Sequence, residues 1–173
     1  MVILKEKESI DITVKWLKNK KTGVSRVIDA KYFYDGKNKY YVDGKGVVLD
    51  YSIKEKDIPK WLANLFGETV YMLPRINYPE GIKTADYLFK GEHWDLKKIN
   101  GNGKNVFFHA IEKHEKQAHN FIFDLSTSAL TDLEINDRLN KLYKIPRLSW
   151  LNKIIIIRNN KVIKIIKRSN PSD

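Results

Sequence analysis

The stretch Thr84-Ala-Asp-Tyr-Leu-Phe-Lys-Gly-Glu-His-Trp-Asp-Leu-Lys97 constrains the fold more than any other part of the chain. Lys90-Gly91 stands between two strand-like runs and suits a two-residue hairpin turn. Counting outward from that turn, Phe89 opposes Glu92, Leu88 opposes His93, Tyr87 opposes Trp94 and Asp86 opposes Asp95. Ala85 then meets Leu96, and Thr84 meets Lys97. Side chains alternate across a strand, so one face collects Ala85, Tyr87, Trp94 and Leu96, an apolar surface that must be buried. The other face carries Thr84, Asp86, His93, Asp95 and Lys97. Two carboxylates therefore lie opposite each other, about 5 Å apart at Cβ, a placement that destabilises a sheet unless a cation lies between them. The plainer reading is a solvated polar face neutralised by lysine; against it stands the depletion of Asp in strands.

Around this hairpin the hydrophobic period divides the chain. Over residues 1–53 the runs Arg26–Tyr34, Lys39–Val42 and Gly46–Tyr51, separated by Asp35-Gly36 and Asp43-Gly44, predict a small antiparallel β meander. A further strand is expected at Ile10–Trp16. Tyr32, Tyr34, Tyr40, Tyr41 and Tyr51 make this part tyrosine-rich. They suit either cross-strand aromatic pairs or a stacking platform for bases. Over residues 54–173 the pattern becomes α/β (α+β) with a mixed sheet. Asp57 can cap a helix that has Pro59 in its first turn and ends at Gly67. A strand at Thr69–Leu73, the hairpin strands Lys83–Phe89 and Glu92–Ile99, and a helix over Lys104–Ala118 follow. Next come a buried-type strand at Asn120–Leu125 and a helix opened by the Thr131/Glu134 capping box. A hairpin, Ser149–Ile157 with Val162–Lys167, turns at Asn159-Asn160, and Ser169–Asp173 is expected to fray.

Composition excludes several classes. The chain has no cysteine, which removes disulfide scaffolds, Cys zinc sites and thiolate catalysis. With 42% apolar residues and 12% aromatics it can bury a core. No stretch reaches the ~20 apolar residues of a membrane span, and Met1–Glu8 has no signal-peptide core, so no membrane partner and a cytoplasmic site of action are expected. The net charge of +11 suits a polyanionic partner such as nucleic acid. Residues 51–100 are nearly neutral, with 8 basic and 7 acidic side chains, because carboxylates concentrate there. A metal-dependent nuclease needs that combination: cations to hold the substrate, and oxygen ligands to hold Mg²⁺ or Mn²⁺. Lys97, on the same face as the aspartates, can orient water or stabilise developing charge.

The Asp86-x8-Asp95-x-Lys97 spacing, with a helix and strand before it and a helix and strand after, resembles the PD-(D/E)xK nuclease superfamily and its αβββαβ core. Residues 61–168 more closely resemble the C-terminal tRNase domain of contact-dependent growth-inhibition (CdiA) toxins and its phage and mobile-element relatives. That likeness rests on Leu62-Ala, Val70-Tyr-Met-Leu-Pro, Thr84-Ala-Asp, Trp94-Asp-Leu-Lys, His114-Glu-Lys-Gln-Ala-His-Asn-Phe-Ile-Phe-Asp124 and Trp150-Leu with the closing hairpin. It implies Asp86 and Asp95 as metal carboxylates, Lys97 as the catalytic lysine, and a toxin-like tRNA or RNA endonuclease with a cognate immunity protein. A further ligand from the first helix is implied, for which Glu55, Asp57 and Glu68 are equal candidates.

Beside this triad stand Thr84, His93 and Gln117, which can support the site, and Lys104, Lys113 and Lys116, which can meet phosphates. His114 falls on the apolar stripe of the helix expected after the site and reads as a core residue, and Asp124 reads as structural. A metal-free mechanism built on histidines, a DNA endonuclease of the same superfamily, and a non-catalytic nucleic-acid- or protein-binding module remain alternatives.

Overall fold

The computed structural model describes residues 8–21, 26–51 and 53–170. The residues read for a leader, apart from Glu8, and the last three of the expected frayed end lie outside them. In chain order the strands and helices are β1 (Ser9–Asp11), α1 (Thr13–Lys18), β2 (Val27–Asp29), β3 (Tyr32–Tyr34), β4 (Lys39–Tyr41) and β5 (Val47–Val48). They continue with α2 (Ile53–Phe66), β6 (Val70–Met72), β7 (Arg75–Ile76), β8 (Tyr87–Phe89), β9 (Glu92–Lys98) and α3 (Val106–Ile111). The chain ends through β10 (Asn120–Asp124), α4 (Asp132–Tyr143), a 3-10 turn (Pro146–Leu148), β11 (Lys153–Arg158) and β12 (Lys161–Arg168).

The β8–β9 hairpin forms in the register that its turn dictates, with Tyr87 on Trp94, Leu88 on His93 and Phe89 on Glu92. Lys90 and Gly91 take φ of 52° and 75°, the paired positive values of a tight hairpin turn. Around it grows a mixed eight-stranded sheet in the order β1-β12-β11-β10-β9-β8-β6-β2. β6, β8 and β9 are antiparallel neighbours, whereas β10 runs parallel to both β9 and β11. A parallel pair needs a crossover, and the segments holding α3 and α4 supply the two. The protein is thus mixed α+β, with few helices on a large sheet.

Each face of the sheet has its own core. On one, Tyr87, Phe89, Trp94, Val70, Met72, Ile122 and Ile155 pack under Leu62, Ala63 and Phe66 of α2, with Trp16 of α1 edge-on to Phe66 and Trp94. On the other, Phe121, Phe123, Ile154, Ile156 and Ile166 pack under Phe107 and Ile111 of α3 and Ile135, Leu139 and Leu142 of α4. This second core takes no buried residue from β8, β6 or β2, so the helices cover only half of that face.

Four local expectations change. α2 begins at Ile53, not at Asp57, and holds Pro59 inside it. Proline has no N–H for the carbonyl four residues back; that carbonyl, of Glu55, instead accepts the Tyr87 hydroxyl at 2.6 Å. α3 stops at Ile111 and the chain continues in tight turns, with His114 N–H on the Ile111 carbonyl and Gln117 N–H on the His114 carbonyl. The strand expected at Ile10–Trp16 is β1 followed by α1. Finally, of the expected N-terminal meander only β3 and β4 form a separate hairpin. β1 pairs with β12, β2 runs parallel to β6, and β5 pairs with β7, because their valines and isoleucines find buried neighbours there.

Candidate active site

β9 places His93, Asp95 and Lys97 on the half-covered face. Its neighbour β10 sets Phe121 beside Asp95 and Phe123 beside Lys97, and this apolar flank leaves Asp95 only 3% exposed. Asp86 precedes β8, outside the ladder expected over Lys83–Phe89: its N–H donates at 3.1 Å to the carbonyl of Trp94, the residue that pairs with Tyr87, and its Oδ2 accepts from Leu96 N–H at 2.7 Å. The Asp86 carboxyl is pushed up to about 8, first by burial and then by the charge of Asp95 and a hydrogen bond with it; the Leu96 N–H opposes the shift and the charge of Glu55 adds to it. Burial and the Asp95 charge thus favour the protonated form of Asp86.

The cation that such a pair calls for is at hand. Lys97 Nζ lies 2.7 Å from Asp95 Oδ2. That contact is an ion pair without hydrogen-bond geometry, so the buried Oδ2 has no hydrogen-bond partner. The Lys97 ammonium compensates the charge of this oxygen, which accepts no hydrogen bond. Lys97 Nζ is in turn 3.2 Å from His114 Nδ1, and His114 Nδ1 also contacts the Gln117 side-chain amide. A line of polar contacts thus runs Asp95–Lys97–His114–Gln117 across the junction between β9 and the turns after α3.

The remaining candidates separate. Of the three acids proposed for the first helix, Glu55 is the one whose charge acts on Asp86 and on Tyr87. Asp57 lines a different cavity, with Asp124, Ser126, Asn159 and Asn160. Glu68 is held by Lys21 at 3.0 Å and Lys90 at 3.5 Å, at the turn end of the hairpin. Thr84 is half-buried in the loop before Asp86. His93 sits under Phe33, ring centroids 5.3 Å apart, and burial lowers its pKa. Lys104, Lys113 and Lys116 are exposed; Lys116, with Gln117, lines a cleft beside the site. His114, which reads as a core residue in the sequence, is half-buried and touches Lys97. Its helical spacing misleads because the helix ends three residues earlier. The cue that remains is its short distance in sequence from Gln117.

The donor set suits a hard divalent cation. Asp86 and Asp95 supply oxygen, and one buried oxygen has a free lone pair. Among the described residues no cluster of three or more His, Cys, Asp or Glu is arranged to hold a metal. Two carboxylates remain, a number that serves Mg²⁺ when waters and substrate phosphate complete the shell.

Residues 83–163 match the family model described as the Contact-dependent growth inhibition CdiA C-terminal domain. A search of curated proteins finds no match. Among solved structures the chain is similar to one in the CdiA-CT/CdiI toxin and immunity complex from Burkholderia pseudomallei, at 26% identity and a TM-score of 0.51. That likeness covers 66% of this chain and 83% of that one. The span holding Asp86, Asp95, Lys97, His114 and Gln117 is thus the span that is similar to the CdiA C-terminal domain family.

Proposed function

We propose that this chain is a toxin-like, metal-dependent endonuclease that hydrolyses phosphodiester bonds in RNA, tRNA above all, with the core arrangement of the PD-(D/E)xK superfamily. The observation that carries this reading is the buried Asp86–Asp95 pair with Lys97 against it, inside the span that matches the CdiA family model. The order α2-β6-β8-β9-α3-β10, apart from short β7, supports the αβββαβ assignment. The similar solved chain belongs to a toxin and immunity complex, which supports a cognate immunity protein as partner. No described helix is long and apolar enough to cross a membrane, and the net charge of +11 favours a polyanionic substrate.

In this reading Asp86 and Asp95 hold Mg²⁺ or Mn²⁺, with Glu55 nearest to add a third charge. When bound, the cation supplies a water of lowered pKa and neutralises phosphate charge. Lys97 presents an ammonium to the charge that develops on the phosphoryl oxygens. His114 and Gln117 hold that ammonium in place. The Tyr87 hydroxyl, tied to the Glu55 carbonyl, fixes α2 against the hairpin.

The test is cleavage of total tRNA, single-stranded RNA and duplex DNA in Mg²⁺, Mn²⁺ and EDTA, with Asp95→Ala alongside. The reading expects metal-dependent cutting, abolished in Asp95→Ala, with tRNA cut fastest. Cutting that survives EDTA would move the chemistry to the histidines. Faster cutting of duplex DNA would change the substrate, and no cutting of any kind would leave a binding module.

A further inference from the structure

The half of the sheet face that α3 and α4 leave uncovered is not an empty surface. Its floor is one row across four strands: Ile28 beside Tyr71, Tyr71 beside Leu88, and Leu88 beside His93. The β3–β4 hairpin overhangs this row, pinned by buried Phe33 against the His93 ring. Together they enclose a cleft of about 890 Å³, lined also by Tyr32, Tyr34, Lys31, Lys83, Lys116 and Gln117. Several lining residues lie close to the aspartates along the chain. His93 is two residues before Asp95 on the same face, Lys83 is three before Asp86, and Gln117 reaches Lys97 through His114.

The lining has two chemistries. Tyr32, Tyr34 and Tyr71 keep 39%, 50% and 37% of their surface exposed, although Tyr32 leans on Tyr41 with centroids 5.4 Å apart and has Lys39 Nζ 4.9 Å over its ring, and the Tyr34 hydroxyl donates to the Gly36 carbonyl. Lys31, Lys83 and Lys116 carry no ion pair among the described residues. The two carboxylates in the lining are engaged: Asp29 takes the Tyr51 hydroxyl at 2.7 Å, and Asp35 takes Lys37 and Asn38 N–H at the hairpin turn. Exposed rings interleaved with unpaired ammonium groups match a chain of stacked bases on a phosphate backbone. A duplex hides its base faces within its own stack and cannot use the rings.

We propose that this cleft binds an unpaired stretch of nucleic acid, its bases stacked on Tyr32, Tyr34 and Tyr71 and its phosphates met by Lys31, Lys83 and Lys116. The inference rests on the nuclease reading only for what happens at the cleft's end. It makes the substrate a single strand or an unpaired loop, selected by access to base faces.

Binding is measured by fluorescence anisotropy in EDTA, on the full chain, with labelled single-stranded oligouridine and oligoadenine dodecamers and a blunt RNA duplex of the same length. The single strands are expected to bind more tightly than the duplex. Tyr32→Ala with Tyr34→Ala should weaken single-strand binding by about tenfold or more without changing its salt dependence, whereas Tyr32→Phe with Tyr34→Phe should retain it. Lys83→Ala with Lys116→Ala should flatten the plot of log affinity against log salt by about 1.4, or 0.7 per lost phosphate contact. Duplex binding as tight as single-strand binding would overturn the inference. So would an alanine pair that melts like the parent and binds within about twofold of it, or an unchanged salt slope in the lysine pair. Cleavage is scored separately. This binding pattern without cleavage removes the nuclease reading and leaves the cleft, whereas cleavage without this pattern does the reverse.

Discussion

Asp86 ties the stability of the protein to pH in a direction opposite to that of most surface acids. Its carboxyl is raised from 3.8 to about 8, so between those limits the folded state keeps a proton that the unfolded chain has released. Stability must then fall as pH rises from about 4 to about 8, by up to about 1.4 kcal/mol per pH unit. Asp86→Asn can still accept the Leu96 N–H and donate towards Asp95, and it has no charge to suppress. Urea midpoints in EDTA across that window should fall for the parent and stay flatter for Asp86→Asn, which becomes the more stable of the two near the upper limit. Parallel curves would remove the proton from the pair. Lys97 gives the complementary case. Lys97→Met leaves Asp95 buried opposite Phe121 with its cation gone, and should cost about 3 kcal/mol. Adding Asp95→Asn should recover part of that loss, which denaturant titration of the double variant reads directly. The register from Phe89–Glu92 to Tyr87–Trp94 was legible because a two-residue turn sets it by counting; the ladder pairs end there, and Asp86 meets Asp95 through its side chain. The contact between His114 and Lys97 was not, since it depends on where α3 ends.

At the scale of elements, ends matter more than interiors. α4 opens with the expected box: Thr131 accepts from Glu134 N–H at 3.2 Å, and the Glu134 carboxylate accepts from Thr131 N–H at 3.0 Å. Thr131→Ala should cost about 1 kcal/mol in denaturant titration, and a neutral result would mean that the cap is not formed in solution. α2 ends at Gly67, where φ is +65° and an added Cβ would lie 1.9 Å from the Lys21 carbonyl oxygen. Gly67→Ala should therefore exceed the roughly 1–2 kcal/mol of left-handed backbone strain alone, since the chain at Lys21 must also move. The C-terminal end of α2 was readable from glycine. Its start was not, because the helix runs through Pro59 only where the freed Glu55 carbonyl finds the Tyr87 hydroxyl, and that hydroxyl comes from a strand far along the chain.

For the whole molecule, two of the described N-terminal strands, β1 and β2, join the main sheet, whereas β3–β4 and β5–β7 pair beside it. β1 closes one edge against β12 and β2 closes the other against β6, while Trp16 meets Phe66, Phe89 and Trp94 at 5.7, 6.4 and 6.1 Å. Trp16→Ala should consequently destabilise the entire fold by about 3 kcal/mol, seen as one cooperative transition by far-UV circular dichroism. An unchanged midpoint would mean that α1 contributes nothing to the core.

What the sequence determined by itself was whatever depends on near neighbours. It set the β8–β9 register, the capping box of α4, and the Asn159-Asn160 hairpin, whose two residues take φ of 50° and 60°. Turn chemistry and strand alternation act over a few residues, so their consequences can be counted along the chain. The tertiary structure decided which distant groups share a place. It lets the charge of Glu55 act on Asp86 while Asp57 and Glu68 lie elsewhere, and brought His114 to Lys97. It also left half of one sheet face open under a tyrosine hairpin. Those outcomes depend on which apolar faces pack against each other, and packing is a property of the assembled sheet rather than of any one segment.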